Sequence, residues 1–202
     1  MGFPCGRSIR RSCRCCFDGR ISTLGDPIMF KEERTESRFD WSMLGNLDEG
    51  RPNLGDSMNV AVYRLMQFTL RDVMIQKLGV SEADHLFYDA GKRAGEEFYK
   101  NVLTQKHDFQ AFVADLQDSL KQLNIGILRV EKADLDQLRF TLTVAEDLDC
   151  SGIPVCGEQV CTYDEGFIHG LLTSHTGREF QVREVDCWAS GDRVCRFEAQ
   201  AL

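Results

Sequence analysis

The chain has 202 residues, 43% of them hydrophobic, and a formal net charge of −8. That length and apolar share suit one domain with its own core, plus a tail. The acidic balance argues against non-specific nucleic-acid binding by the whole chain, and no apolar run approaches the roughly 20 residues that a membrane-spanning helix needs.

Residues 1–28 stand apart. They hold Cys5, Cys13, Cys15 and Cys16 with five arginines, and their charge of +3 leaves −11 for the rest. Low apolar content makes them a disordered, basic, Cys-rich extension, or a start placed too early with Met29 opening the folded protein. A metal- or nucleic-acid-binding tail is the competing reading, but Cys13-x-Cys15-Cys16 lacks the C-x₂-C spacing of common zinc sites. No apolar signal-peptide core follows the arginines, so a cytoplasmic protein is expected. There thiols stay reduced, and clustered cysteines read as ligands or redox groups. Residues 29–50, charged around Phe39, Trp41 and Leu44, read as an arm that docks in part, and residues 51–202 as the domain proper.

From Met58 to Leu78 apolar residues recur at helical spacing: Val62, Leu65, Met66, Leu70, Val73 and Met74. Val60, Tyr63 and Phe68 fall off that stripe, so one face can meet the core and the other a second copy in a symmetric homodimer. Gly79 is placed as a C-cap. Ser81-Glu82-Ala83-Asp84 resembles a capping box opening a helix to about Leu103. In it Ala90-Gly91 and Ala94-Gly95 set small residues four apart, for close helix approach or for ligand space. Asp108 can cap a third helix carrying Phe109, Phe112, Val113, Leu116, Leu120 and Leu123.

The period then changes to two. Residues 126–131 and 138–144 read as a hairpin, residues 158–173 as a helix stopped by Gly177, and residues 179–189 with 193–199 as a second hairpin. Helices, hairpin, helix, hairpin spell an α+β fold: N-terminal helices packed on an antiparallel sheet of two hairpins with a helix between them.

Dinucleotide-binding and P-loop glycine patterns are absent, as is a G-x-S-x-G nucleophile elbow. No catalytic constellation is visible, which leans against an enzyme without deciding it. Glu146, Asp147 and Asp149 read as solvated surface more readily than as acid/base or cation-binding carboxylates. His169, eight residues beyond Cys161, falls on roughly the same helix face and can point to a metal or a ligand, or be a satisfied core histidine.

The richest signal lies in the last quarter: Cys156, Cys161, Glu184, Cys187 and Cys195. Cys187 and Cys195 flank the turn Ser190-Gly191-Asp192. Symmetric pairing about Gly191 would oppose them, with Cβ atoms roughly 4.5–5.5 Å apart, within reach of one ion. Zinc accepts Cys and carboxylate ligands in a closed tetrahedron, and Cys161 and Glu184 are the best candidates to complete it. The same pair can instead be buried small hydrophobes or a disulfide. Glu184 and Cys187 are three apart, so a bulge or strong twist is required to aim both at one ion. Cys150 and Cys156 can form a second thiol pair, or one can replace Cys161.

The run from Cys156 to Phe197 resembles the 4-vinyl-reductase-type domain, a small-molecule-binding family. It includes a bacteriochlorophyll-pathway protein and the sensor domains of aromatic-responsive transcription activators. The resemblance rests on Gly157-Glu158, Cys161, Gly166, Gly170, Gly177 and Glu184-x-x-Cys187 followed by Cys195, and continues more weakly upstream to about Arg51. It implies zinc on Cys161, Glu184, Cys187 and Cys195, and an architecture shared with subunits of a vesicle-tethering complex. The leading expectation is a zinc-containing sensor or regulatory domain that binds a small apolar or aromatic ligand and acts through a protein partner. Phe87, Phe98, Phe112, Phe140, Phe167, His169 and Trp188 are the candidate lining residues. An enzyme or accessory protein of tetrapyrrole metabolism and a structural dimer module are the alternatives.

Overall fold

A computed structural model describes residue 33 and residues 35–104 and 108–202. The 1–28 extension lies outside the described residues. Asp40–Leu202 forms one compact unit, and the chain up to Phe39 belongs to another. The larger unit opens with a 3₁₀ turn, Trp41–Leu44, and a short helix α1, Leu47–Gly50, capped by the side chains of Asp40 and Asn46. The Trp41 N–H donates to Glu97 Oε2 at 3.0 Å.

Four longer helices and four strands follow: α2 Val60–Leu78, α3 Val80–Asn101, α4 Phe109–Gln122, β1 Ile127–Asp134, β2 Arg139–Ala145, α5 Thr162–Thr176, β3 Phe180–Asp186 and β4 Cys195–Ala201. All neighbouring strands are antiparallel, in the order β1-β2-β4-β3. The two expected hairpins are therefore joined edge to edge through β2 and β4. Alternate residues of these strands, Phe140, Leu142 and Val144 with Phe180, Val182, Phe197 and Ala199, are buried, as the period of two requires. Helix α4 packs on β1, α5 packs on β3, and α3 lies on α5.

The α3–α5 contact is made by glycines. A Cβ added at Gly91 or Gly95 of α3 would sit 2.0 Å from Tyr163 O or 2.2 Å from Phe167 O; one at Gly166 or Gly170 of α5 would sit 2.0 Å from Tyr88 O or 2.1 Å from Lys92 O. Two backbones meet where any side chain would hold them apart. The small residues four apart in α3 thus serve helix approach rather than ligand space.

Sequence and structure differ at three places. Helix α3 begins at Val80 behind Gly79, with no side-chain cap; Asp84 is spent instead on an ion pair with Arg71 of α2. Helix α5 begins at Thr162, later than periodicity indicates, with Cys161 as its N-cap. Residues before it stay irregular because the N–H groups of Cys156 and Gly157 both donate to Ala189 O at 2.9 Å. Helix α2 is turned over. No residue of it is buried, and its main stripe faces outward, with Leu65 67% and Met66 62% exposed. The inward face carries Tyr63, Arg64 and Gln67, which bond to residues 147–151.

Candidate metal centre and adjoining cavity

Four buried cysteines converge from four segments. Cys150 sits in the turn after β2, Cys161 caps α5, Cys187 follows β3, and Cys195 opens β4. Their Sγ atoms all lie within 4.8 Å of one another. Cys150 and Cys195 are 3.0 Å apart, Cys161 and Cys187 3.9 Å, Cys161 and Cys195 3.7 Å. A disulfide needs about 2.05 Å, and all four are free thiols. Four sulfurs tetrahedral about one ion at 2.3 Å stand about 3.8 Å from each other. Two of these separations match that edge, and the third needs only a small opening. The residues present can therefore hold a thiophilic metal ion. It would supply fixed positive charge in place of the thiol protons.

The surroundings position these groups. Asp147 Oδ1 accepts the N–H of Asp149 at 2.8 Å and of Cys150 at 3.1 Å, which closes the turn that presents Cys150. Arg64 spans the carbonyls of Leu148 and Ser151, at 2.7 and 2.9 Å, from outside. Ser190 Oγ accepts the Cys187 N–H at 3.1 Å. The register shift between Glu184 and Asp186 supplies the bulge that the three-residue spacing to Cys187 requires. Asp186 pairs with Arg196, and Cys187 then leaves the ladder for a 3₁₀ turn, while Cys195 pairs with Val144. Chain connectivity beyond the strands, not direct opposition within a ladder, brings Cys187 to Cys195.

Of the residues expected to hold the ion, Cys161, Cys187 and Cys195 come together. Glu184 stands beside them, 1% exposed, with Oε2 accepting the Cys161 N–H at 3.1 Å and Oε1 buried without a hydrogen-bond partner. Cys150 takes the fourth corner. The sequence flags it only as a spare thiol, since it lies outside the C-terminal spacing pattern; Cys156 is exposed. Hydrogen bonds from the three neighbouring thiols depress the Cys187 thiol, and the same contacts together with burial push Cys161 and Cys195 up. Burial, then the charge of Cys187, pushes Glu184 up to about 8. Burial beside Asp149 pushes Asp147 up to about 6.

The acidic run is thus not solvated surface: Asp147 and Asp149 are 4% and 5% exposed. Their burial is sustained by the backbone N–H groups at Asp147 and by Tyr63 Oη at 2.8 Å and Gln67 Nε2 at 2.7 Å on Asp149. Glu146, at φ +53°, turns the chain out of β2 and into this loop.

A cavity of about 40 Å³ adjoins the cysteines, between α4, α5 and the inner face of β1 and β2. Its walls are apolar apart from Asp147 and Asp164. The oxygens of those two residues lie within 4.8 Å of the Cys161 sulfur. Among the expected lining residues, Phe112 and Phe167 reach the cavity. Phe98 meets Phe167 edge-on at 5.3 Å, and Phe140 stacks on Phe109 at 4.7 Å, behind the wall. Phe87 lies under the Arg71 guanidinium. His169 is satisfied by Tyr88 Oη and Glu179 Oε2, both at 2.8 Å. Trp188 donates to Ile153 O at 3.0 Å and pins the loop after Cys150.

Residues 140–201 match the model of the 4-vinyl-reductase-type domain family. The chain carries a 4-vinyl-reductase-type domain. All four cysteines fall inside the segment matched to that domain, whereas α4, one wall of the cavity, lies before it. Two uncharacterized proteins of Methanocaldococcus jannaschii are similar over most of the chain. One is 24% identical, covering 74% of this chain and 81% of its own length; the other is 27% identical, covering 86% and 94%. Among solved structures, the phenol-responsive sensory domain of the transcription activator PoxR, with phenol, has a TM-score of 0.55 at 17% identity, covering 71% of this chain and 75% of that one. A vinyl-4-reductase family protein of M. jannaschii has a TM-score of 0.51 at 16% identity, covering 73% and 84%. A trafficking protein particle complex subunit 3 of Naegleria fowleri, covalently bound to palmitic acid, has 0.57 at 13%, covering 71% and 95%. They share the α+β architecture, a four-stranded antiparallel sheet with helices against it. Among the described residues no helix is long and apolar enough to cross a membrane.

Proposed function

We propose that this 4-vinyl-reductase-type domain is a zinc-stabilised sensor module that binds one small, mainly apolar ligand and passes the event to a protein partner. The observation that carries the reading is the apolar cavity set directly against a buried four-cysteine group. A closed Cys₄ set is a structural arrangement, with no open position for catalysis. It would fix the turn of Cys150, the start of α5 and both ends of the β3–β4 connection, three of which border the cavity or its acidic end. The likeness to a sensory domain solved with phenol favours a small aromatic as the ligand class.

The domain acts as a homodimer through α2, with a second copy as occupant of its outward stripe. A row of half-exposed or more exposed Val62, Leu65, Met66, Leu70 and Val73 on one helix is the kind of contiguous apolar patch that marks an interface, and a two-fold axis would pair the stripe with itself. Tyr63, Arg64 and Gln67 would then tie the dimer helix to the loop that carries Cys150 and walls the cavity at Asp147, a route from ligand to partner.

Native mass spectrometry of the protein purified from its source tests these elements together. The reading expects one zinc per chain, a bound molecule of low mass and a two-chain assembly. Metal-free monomer with no retained molecule and four freely titratable core thiols would sink it.

A further inference from the structure

We infer that Asp164 is the specificity-determining residue of the cavity, and that it selects a neutral ligand of single-ring size carrying a hydroxyl at its buried end. The inference rests on the ligand-binding reading above and names its chemistry.

Asp164 occupies the third position of α5 after its N-cap, Cys161. An acidic side chain there commonly folds back onto the N-cap N–H. Here that N–H is already taken by Glu184 Oε2. Asp164 is therefore released from capping, and its carboxyl turns to the cavity wall. Its Oδ2 is buried with no hydrogen-bond partner. Buried polar atoms are normally paired, and an unpaired one needs an explanation. The other acid of the cavity, Asp147, is committed through Oδ1 to two backbone N–H groups. Asp164 thus offers the unused polar atom of an otherwise apolar space.

The surroundings decide which headgroup fits. Asp147, Glu184 and four thiols crowd the same end. Four thiolates on a dication still leave negative charge. A ligand carboxylate or phosphate brought here would be a buried like charge, which is strongly penalised. A hydroxyl is neutral and can donate to Oδ2 or accept from the protonated carboxyl, so it satisfies the atom in either state. Size is limited as well. One water needs about 10–15 Å³ on the measure that gives this cavity about 40 Å³, so the space admits a single ring and not an extended chain.

The test uses the zinc-loaded full chain and three probes of one size: phenol, toluene and benzoate, titrated by calorimetry. Phenol should bind about tenfold tighter than toluene, the worth of one net hydrogen bond, and benzoate should not bind measurably. Asp164→Leu should bring phenol and toluene to near parity while toluene binding and zinc content persist. Asp164→Asn should keep a preference for phenol, and it serves if the leucine variant does not fold. Equal binding of phenol and toluene by the native protein, or benzoate binding as well as phenol, overturns the role of Asp164 while the cavity stands. No binding by any of the three overturns the cavity reading itself, and the inference with it.

Discussion

The α3–α5 pair and helix α2 are built on opposite principles. The first is held by absence: four glycines remove every side chain from the contact, so main chain lies on main chain and no residue there can be enlarged. The second is held by polar tethers. Tyr63, Arg64 and Gln67 reach one loop, Arg71 pairs with Asp84, and the apolar stripe is left outside. A close-packed joint is rigid because interiors give little under strain. A tethered helix can shift by exchanging a few hydrogen bonds. The domain thus has a fixed frame for the cavity and a movable element on the far side of its acidic loop.

The comparison is broken most severely at the frame. Gly166→Ala would place a methyl 2.0 Å from Tyr88 O, a backbone atom that cannot rotate away. It should cost upwards of about 3 kcal/mol, at or beyond the upper end of ordinary overpacking, read as a fall in the denaturation midpoint or as insoluble protein. A native-like midpoint would show that the helices can separate freely.

The tethers should yield less. Arg64→Ala leaves the carbonyls of Asp147, Leu148 and Ser151 without their donor. A loss of about 1–3 kcal/mol is expected, with faster amide exchange in α2 and in residues 147–151 but not in α3 or α5. Uniform loss of protection would contradict a separable α2.

A charge on the outer stripe should touch stability least and assembly most. Leu65→Glu should leave the denaturation midpoint, measured on monomer, within about 0.5 kcal/mol, as surface changes usually do. Light scattering should nevertheless report one chain in place of two. Unfolding would place Leu65 in a core, against its 67% exposure.

The smallest effect is a pH dependence on the frame side. His175, near the end of α5, stacks on Phe112 at 4.2 Å, and burial lowers its pKa from the ordinary 6.5. A base with a depressed folded pKa contributes stability that is present above the unfolded value and is lost as pH falls through the folded one. The thermal midpoint should thus fall slightly below pH 6.5, and His175→Asn should flatten that part of the curve. An unchanged slope in the variant would remove His175 from the account.

Much of the frame was legible in the sequence. Periods of 3.6 and 2 gave four long helices and two hairpins in order, and Asp108 and Gly177 marked ends that the structure uses. What periodicity could not give was the direction a face points. The stripe of α2 is a sound helix signal, yet an outward face has the same spacing as an inward one, and only the polar partners of Tyr63 and Arg64 decide between them. The site was legible where ligands lie close in sequence, at Cys187 and Cys195. Cys150 joins from a separate turn, through a loop whose buried aspartates look from composition like surface. Asp164 was hidden for a similar reason: its freedom depends on Glu184, 20 residues away, taking its capping partner.

The central claim is that the cysteine group is a metal centre closed by sulfur alone, with Glu184 supporting it from outside. X-ray absorption at the zinc edge on stoichiometrically loaded protein tests this most directly. The account predicts one zinc per chain and four sulfurs at about 2.3 Å, a shell kept in Glu184→Gln and lost in Cys150→Ser. Failure to load zinc, or a shell with an oxygen neighbour that survives Cys150→Ser and disappears in Glu184→Gln, would contradict it.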